Sequence, residues 1–512
     1  MARRTLATVR FGVLCATCAS VVRAACAAPM PMVWPAPGAQ GVARDAQPRG
    51  AAALQLFGPL GLPVPGVLRR DAHGARFDSA RPLSPCTRYT LRVGGATQHF
   101  TTACSRWQRP RQIDTRAHAR QSVFGASGAQ VVALGDGELV AAWSQRDHRH
   151  QSIQVSAYNP DTDSWSAPRR VDAGGSDATL PVLAAGARGA WAAWSQVRNG
   201  RDAIVVAHRR RGAWSAPRRV DGGGVLRGDA TDAQLAVSGG GLVALAWQQR
   251  AAGHGAIGAA VRRNGIWGAA LRLDRGAAGS YAPTLAALPD GFVAAWQRGR
   301  GAAASIVLAR FAHGRWSAPQ RVSVRGGAGS PTLAAAPDGG FALAWVRGGR
   351  IVVRRFDSRQ RAAPARSLSG RSASDPALAF DPAGDLFAVW QQGRRRSRIV
   401  ARRLDVARDR WSPVRELDAA ALRSAGNPVL GVDAVGNAAC AWYQDGPRGL
   451  QVHAARYDAS SARWGAATRL SDARSTVQAT LPALAVDSAG GFTVVWQQFN
   501  AWRDVVMVSR MP

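Results

Sequence analysis

Gly291-Phe292-Val293-Ala294-Ala295-Trp296 decides the fold, because the chain keeps repeating it. A turn containing Gly, followed by an apolar run that ends in Trp, returns at Trp143, Trp194, Trp247, Trp345, Trp390, Trp442 and Trp496, which makes eight copies. The steps between them are 51, 53, 49, 49, 45, 52 and 54 residues, a near-constant period that marks a repeat architecture. A second phrase interleaves with the first: Trp165-Ser166-Ala167-Pro168-Arg169-Arg170-Val171, echoed at Trp214, Trp267, Trp316, Trp411 and Trp464, with Arg361 in the Trp place of one degenerate copy.

Around Trp296 each unit resolves into four short strand-like runs: 284–287, 292–296, 306–310 and 316–322. Four strands in about fifty residues is the pattern of a propeller blade, and no long helical periodicity interrupts it. The last unit stops after Val505-Val506-Met507-Val508 without a fourth strand, while an unpaired Trp-Pro strand, 107–113, precedes the first unit. The expectation is an all-β, eight-bladed β-propeller of four-stranded antiparallel blades over 105–512, in which the N-terminal strand closes the last blade and removes the open edges. The repeated Trp residues then read as packing between neighbouring blades.

Residues 50–104 have a different rhythm. Ala53-Leu54-Gln55-Leu56-Phe57, Thr87-Arg88-Tyr89-Thr90-Leu91-Arg92-Val93 and His99-Phe100-Thr101-Thr102 alternate apolar and polar positions, as short antiparallel strands do. With Phe77 before Pro82-Leu83, the Pro85-x-x-x-Tyr89 turn and the closing Phe100-Thr101-Thr102, this segment resembles the small bacterial Ig-like domain of exported proteins, which implies a β-sandwich. Cys86 and Cys104 bracket its last hairpin. Their pairing would close a 19-residue loop, worth about 3 kcal/mol by chain entropy. Cys440, in an apolar run, reads as a buried small hydrophobe.

The first 27 residues read as a signal peptide: basic Arg3, Arg4 and Arg10, an apolar 11–22 stretch too short to span a bilayer, and an A-x-A site at Ala25-Cys26-Ala27. A lipid-modified Cys26 is the alternative, without the usual Leu three residues upstream. Residues 28–49, rich in Pro, Ala and Gly, read as a flexible lead-in. The expected place is secreted, periplasmic or at the cell surface, where disulfides persist, with no membrane span and a monomer as the working state.

The net charge of +34 invites a nucleic-acid reading. All 66 basic residues are Arg, however, and Lys is absent, which points to codon bias rather than selection for phosphate contacts, so no nucleic-acid partner is expected. Turns such as Leu288-Pro289-Asp290-Gly291 collect on one face and read as structural. The longer, variable links collect on the other, which is where binding is expected. Arg146, Arg198, Arg394, Arg396, Arg448 and Arg503 fall there with Trp502, and Gln145, Gln196, Gln249, Gln392, Gln444 and Gln498 recur two places after the Trp. Guanidinium forks and amides suit acidic glycans or a protein partner.

Trp-Ser-Ala-Pro strands on a bladed scaffold are similar to the sialidase-like propellers, which implies a glycosidase or lyase as the alternative to non-catalytic binding or scaffolding. The Ser-x-Asp-x-Gly-x-Thr-Trp box of that family is absent, and Tyr443 with Glu416 is the one Tyr–Glu pair available for its nucleophile and base. Only two Glu exist, Glu138 and Glu416. Asp147-His148-Arg149-His150 lacks a third ligand, so neither a metal nor a cofactor is expected.

Overall fold

The computed structural model describes residues 35–36, 38–50, 53–71, 74–114, 125–147, 149–222, 228–251, 254–274, 278–323, 326–419, 422–472, 477–500 and 503–512. The signal segment with Cys15, Cys18 and Cys26 lies outside the described residues, as do His148 and Trp502.

Each repeat folds on itself because its apolar run is flanked by turns too tight for anything but a hairpin. In one unit Ser280–Leu288, Gly291–Arg298 and Ser305–Ala312 pair in sequence, antiparallel, with Arg315–Trp316 on the outside. Among the described residues the same order recurs in eight sheets: sheet 1 (126–170), sheet 2 (178–219), sheet 3 (230–272), sheet 4 (280–321), sheet 5 (328–367), sheet 6 (373–416), sheet 7 (425–469) and sheet 8 (477–511). First strands of successive sheets pack against one another, and the first strand of sheet 8 packs against that of sheet 1. The chain is a β-propeller.

Sheet 8 takes its outer strand from the N-terminal side, as the sequence implies. Arg111–Gln112 pairs with Val508 and Met507, Gln108 N–H donates to Arg510 O at 2.7 Å, and Ile113 N–H to Val506 O at 3.0 Å. The fourth strand differs from the continuous run expected. Arg315–Trp316 and Gln320–Arg321 are two short pieces, both paired with the third strand. Pro319 between them has no N–H to give, so the ladder breaks there. Ser317 bridges the gap by donating its N–H to Arg310 O and accepting Arg310 N–H on its hydroxyl.

The eight Trp residues of the first phrase are the largest fully buried side chains, as expected of inter-sheet packing. Those of the second phrase are mostly half-buried near the outer edge. Every first strand also carries a bulge, with Gly128, Leu180, Asp232, Ala282, Ser330, Asp375, Asn427 and Leu481 at φ between +48° and +63°. A left-handed Leu costs about 1–2 kcal/mol, so this repeated kink is held by the surrounding sheets rather than by local preference.

The N-terminal module contains two three-stranded sheets around Leu54, Leu56, Phe77, Tyr89, Leu91 and Phe100. One strand, Gly66–Asp71, has little alternation in its sequence and forms an edge with Val67 and Leu68 exposed. Cys86 and Cys104 are disulfide-bonded, and Cys440 is buried with a thiol that burial pushes up from its ordinary pKa.

The module docks on the tight-turn side of sheets 7 and 8. Asn437 Nδ2 donates to Thr87 Oγ1 (3.0 Å) and Asp433 Oδ2 (2.8 Å), Arg456 Nη2 to Pro85 O (2.8 Å), Arg44 Nε to Leu83 O (2.8 Å) and Arg44 Nη2 to Ala489 O. Turns that read as merely structural therefore form a joint. Among the described residues no helix is long and apolar enough to cross a membrane.

Candidate functional site

Propeller ligand sites are made by residues that the scaffold does not need, so the structural demands on polar groups come first. A buried indole N–H needs an acceptor. Trp143, Trp194, Trp247, Trp390, Trp442 and Trp496 each donate Nε1 to Oε1 of the Gln two places on, at 2.8–3.3 Å. Gln145, Gln196, Gln249, Gln444 and Gln498 are themselves buried. The recurring amides expected at the ligand face are thus turned inward. The signal was in the spacing, since residues i and i+2 share one side of a strand.

Sheets 4 and 5 prove the rule by exception. Their corresponding positions are Arg298 and Arg347, and Nε1 of Trp296 and Trp345 has no hydrogen-bond partner. Arg298→Gln is therefore expected to raise stability by about 1 kcal/mol, measured as an increased urea midpoint at unchanged slope.

A second eightfold device uses up acids. The residue closing each outer strand, Asp172, Asp221, Asp274, Ser323, Ser369, Asp418, Ser471 or Asp114, accepts the N–H of Ile153, Ile204, Ile257, Ile306, Ile351, Ile399, Val452 or Val506 on the third strand. Asp and Ser alternate freely because either supplies one oxygen at the right reach. Arg170, Arg219, Arg272 and Arg398 neutralise four of the carboxylates. Asp114 is the copy supplied across the closure, and burial holds its carboxyl above the usual range against the pull of Arg503, whose Nη1 lies 3.4 Å away. Arg503 is thereby engaged in closing the ring. Glu138 likewise pairs with the buried Arg209 of the next sheet.

What remains on the loop-rich side falls into two groups. Arg394, Arg395 and Arg396 are exposed in one link of sheet 6, with no hydrogen bond or ion pair from their side chains, and exposed Arg448 occupies the equivalent link of sheet 7. Arg146, exposed in sheet 1, and Arg198, half-buried in sheet 2, lie elsewhere on the ring. The structure therefore places Arg394 and Arg396 in one link and Arg448 in the equivalent link of the neighbouring sheet, with Arg146 and Arg198 in other sheets.

Three carboxylates from sheets 1 to 3 lie among the arginines on this side. Asp177 accepts Gln151 N–H (2.7 Å) and Asp229 accepts Asp202 N–H (3.3 Å). Burial first, then repulsion from Asp229 and Asp177, holds the Asp202 carboxyl above its ordinary pKa. The sequence did not single out this trio, because its members come from three separate links. Tyr443 and Glu416 share no hydrogen bond: Tyr443 sits on the second strand of sheet 7, and Glu416 is exposed on the outermost strand of sheet 6. Among the described residues no group of three His, Cys, Asp or Glu is placed to hold a metal.

No protein-family model and no curated protein matches the chain. Solved structures do. The Dos1 propeller is 10% identical over 79% of this chain and 95% of its own, with a TM-score of 0.50. The NanB sialidase from Streptococcus pneumoniae is 10% identical over 94% of each chain at a TM-score of 0.37, and a protein of unknown function from Dyadobacter fermentans is 13% identical over 79% of this chain and 98% of its own at 0.40. At 10% identity the likeness to the Dos1 propeller is one of fold, and that fold is the β-propeller.

Proposed function

We propose that the chain is an exported, non-catalytic binding or scaffold protein whose loop-rich face takes an acidic glycan, with a protein partner carrying clustered carboxylates as the equivalent ligand chemistry. In this reading residues 1–27 direct export, 28–49 are a lead-in, 50–104 form an Ig-like module and 105–512 form an eight-bladed propeller that works as a monomer. The observation that carries the reading is the exposed run Arg394-Arg395-Arg396, free of acidic partners and beside the Arg448 link. Planar guanidiniums grip carboxylates and sulfates through paired hydrogen bonds, and the rigid sheets beneath hold their backbone still.

The docked module supports a scaffold role, because it covers turns on the opposite side and leaves the loop-rich side open. A second reading, glycoside hydrolysis, is favoured by Asp202. A carboxyl whose pKa is raised by burial and neighbouring carboxylates leans toward what a general acid requires. An array of sialylated, uronic and sulfated glycans, run beside a hydrolysis screen, separates the two. Retention that drops about tenfold in the Arg394→Ala/Arg395→Ala/Arg396→Ala variant, without turnover, supports binding. Turnover that Asp202→Asn abolishes would reject it in favour of hydrolysis.

A further inference from the structure

A groove with different chemistry lies away from the loop-rich face, on the outer rim between sheets 6 and 7. Its cavity volume is about 760 Å³, on the scale of a ligand pocket. Two layers build it. The deeper layer is fixed: Arg403 is charge-compensated, its Nη2 2.8 Å from Asp381 and 2.9 Å from Asp385 with its guanidinium 5.4 Å from the Phe387 ring, while Arg402 Nε donates to the backbone Ser412 O at 2.7 Å. The outer layer is not compensated. Arg410, Arg415 and Arg463 line the groove, are exposed, and make no hydrogen bond or ion pair with their side chains. The one carboxylate in the lining, Asp405, is already held by Arg408 at 2.7 Å.

The wall is aromatic. Tyr457 and Trp464 stand edge to face at 5.4 Å between ring centroids and both line the cavity. The same rim position between sheets 3 and 4 shows what the repeat alone provides. That groove, about 630 Å³, has exposed Ile266 and Leu271 where the sheet 6–7 groove has Arg410 and Arg415; its Arg272 is tied to Asp274, and exposed Arg263 and Arg315 complete its rim. One architecture therefore carries Ile266 and Leu271 in one place and Arg410 and Arg415 at the same two positions in another, and the scaffold requires neither pair.

We propose that the sheet 6–7 rim groove is a second binding site, for a segment of an anionic polysaccharide. Arg410, Arg415 and Arg463 grip successive carboxylate or sulfate groups, and Trp464, backed by the buried Tyr457, packs against the sugar between them. A polysaccharide fits better than a nucleic acid because the aromatic wall is one half-buried Trp464 backed by the buried Tyr457, rather than a row of exposed rings on which successive bases could stack. The site is separate from the loop-rich face and does not depend on the reading given above for it.

The test titrates the full chain with an oligogalacturonate and with a heparin oligosaccharide at about 150 mM salt, by calorimetry. The wild type is expected to bind at least one of them through the groove, the tighter of the two identifying carboxylate or sulfate as the natural group. Arg410→Ala/Arg415→Ala/Arg463→Ala should lose about 100-fold in groove affinity and the matching Lys variant about tenfold, since Lys keeps the charge but not the paired hydrogen bonds. Both should keep the wild-type melting temperature, because the three side chains are exposed. The Arg394→Ala/Arg395→Ala/Arg396→Ala variant should retain groove binding undiminished, so failure of one site is told apart from failure of the other. Unchanged affinity in the Ala variant, full affinity in the Lys variant, no binding of either probe, or equal binding of a single-stranded oligonucleotide of the same charge would each overturn the proposal.

Discussion

Trp247→Ala is expected to destabilise the protein by about 5 kcal/mol, and Trp296→Ala by about 1 kcal/mol less. Both indoles are completely buried between sheets, so both deletions leave a cavity. They differ in what else is lost. Trp247 Nε1 donates to Gln249 at 2.8 Å, and Gln249 is 1% exposed, so truncation strands a buried acceptor. Trp296 Nε1 has no partner to strand. The backbone adds to the difference: Gly258 lies opposite Trp247, so close that a Cβ there would meet the indole at 2.4 Å, and it has no side chain with which to fill the void. Val307 faces Trp296 and can lean inward. Urea unfolding of both variants measures the gap, and equal losses would mean that the Trp–Gln hydrogen bond adds nothing net.

His453→Val is expected to stabilise the protein, by a margin that grows as the solution is acidified. The position opposite the buried Trp is Val205, Val307, Val352 and Val400 in sheets 2, 4, 5 and 6, but His453 in sheet 7. Neither ring nitrogen of His453 has a hydrogen-bond partner, and the ring is 5% exposed against Trp442. Burial, with a smaller push from Arg469, lowers its pKa from 6.5 to about 4. The unfolded chain takes up the proton near pH 6.5 while the folded one refuses it until about 4. Stability is therefore full above pH 6.5, falls through that window by about 3 kcal/mol, and stays low beneath it. Val removes this component. The difference in unfolding free energy between variant and wild type, followed from pH 7 to pH 4, should widen by about that amount. A constant difference would show that His453 gains its proton without cost. Carboxylate titrations common to both proteins cancel in the comparison.

Much of this fold was legible because repetition amplifies weak signals. A single Gly-Phe-Val-Ala-Ala-Trp run fits a strand or a buried helix turn, but eight copies at near-constant period fit only a repeated sheet. The orphan strand at 107–113 and the missing one after Val508 identify each other by subtraction. The pairs that end each outer strand, an aliphatic residue followed by Asp or Ser, were equally repetitive, and could have been recognised as backbone acceptors. The candidate site was much less legible. Gln145 and its counterparts follow from the two-residue face rule, yet beside variable links they resembled ligand amides. Arg503 sits in a loop-rich segment, and only the approach of Asp114 from the far end of the domain assigns it to closure.

Strand number, strand order, the buried indoles and the borrowed closing strand were set by local patterning: alternation, turn residues and a period that any eight similar hairpins must satisfy. Tertiary structure alone decided which arginines are free. Arg403 and Arg415 both lie in sheet 6 and both line the rim groove, and nothing in their immediate sequence separates them. Arg403 meets Asp381 and Asp385 across the sheet, whereas Arg415 meets no acid. Charge pairing depends on neighbours brought close by packing, and a period in the sequence carries no record of those distances.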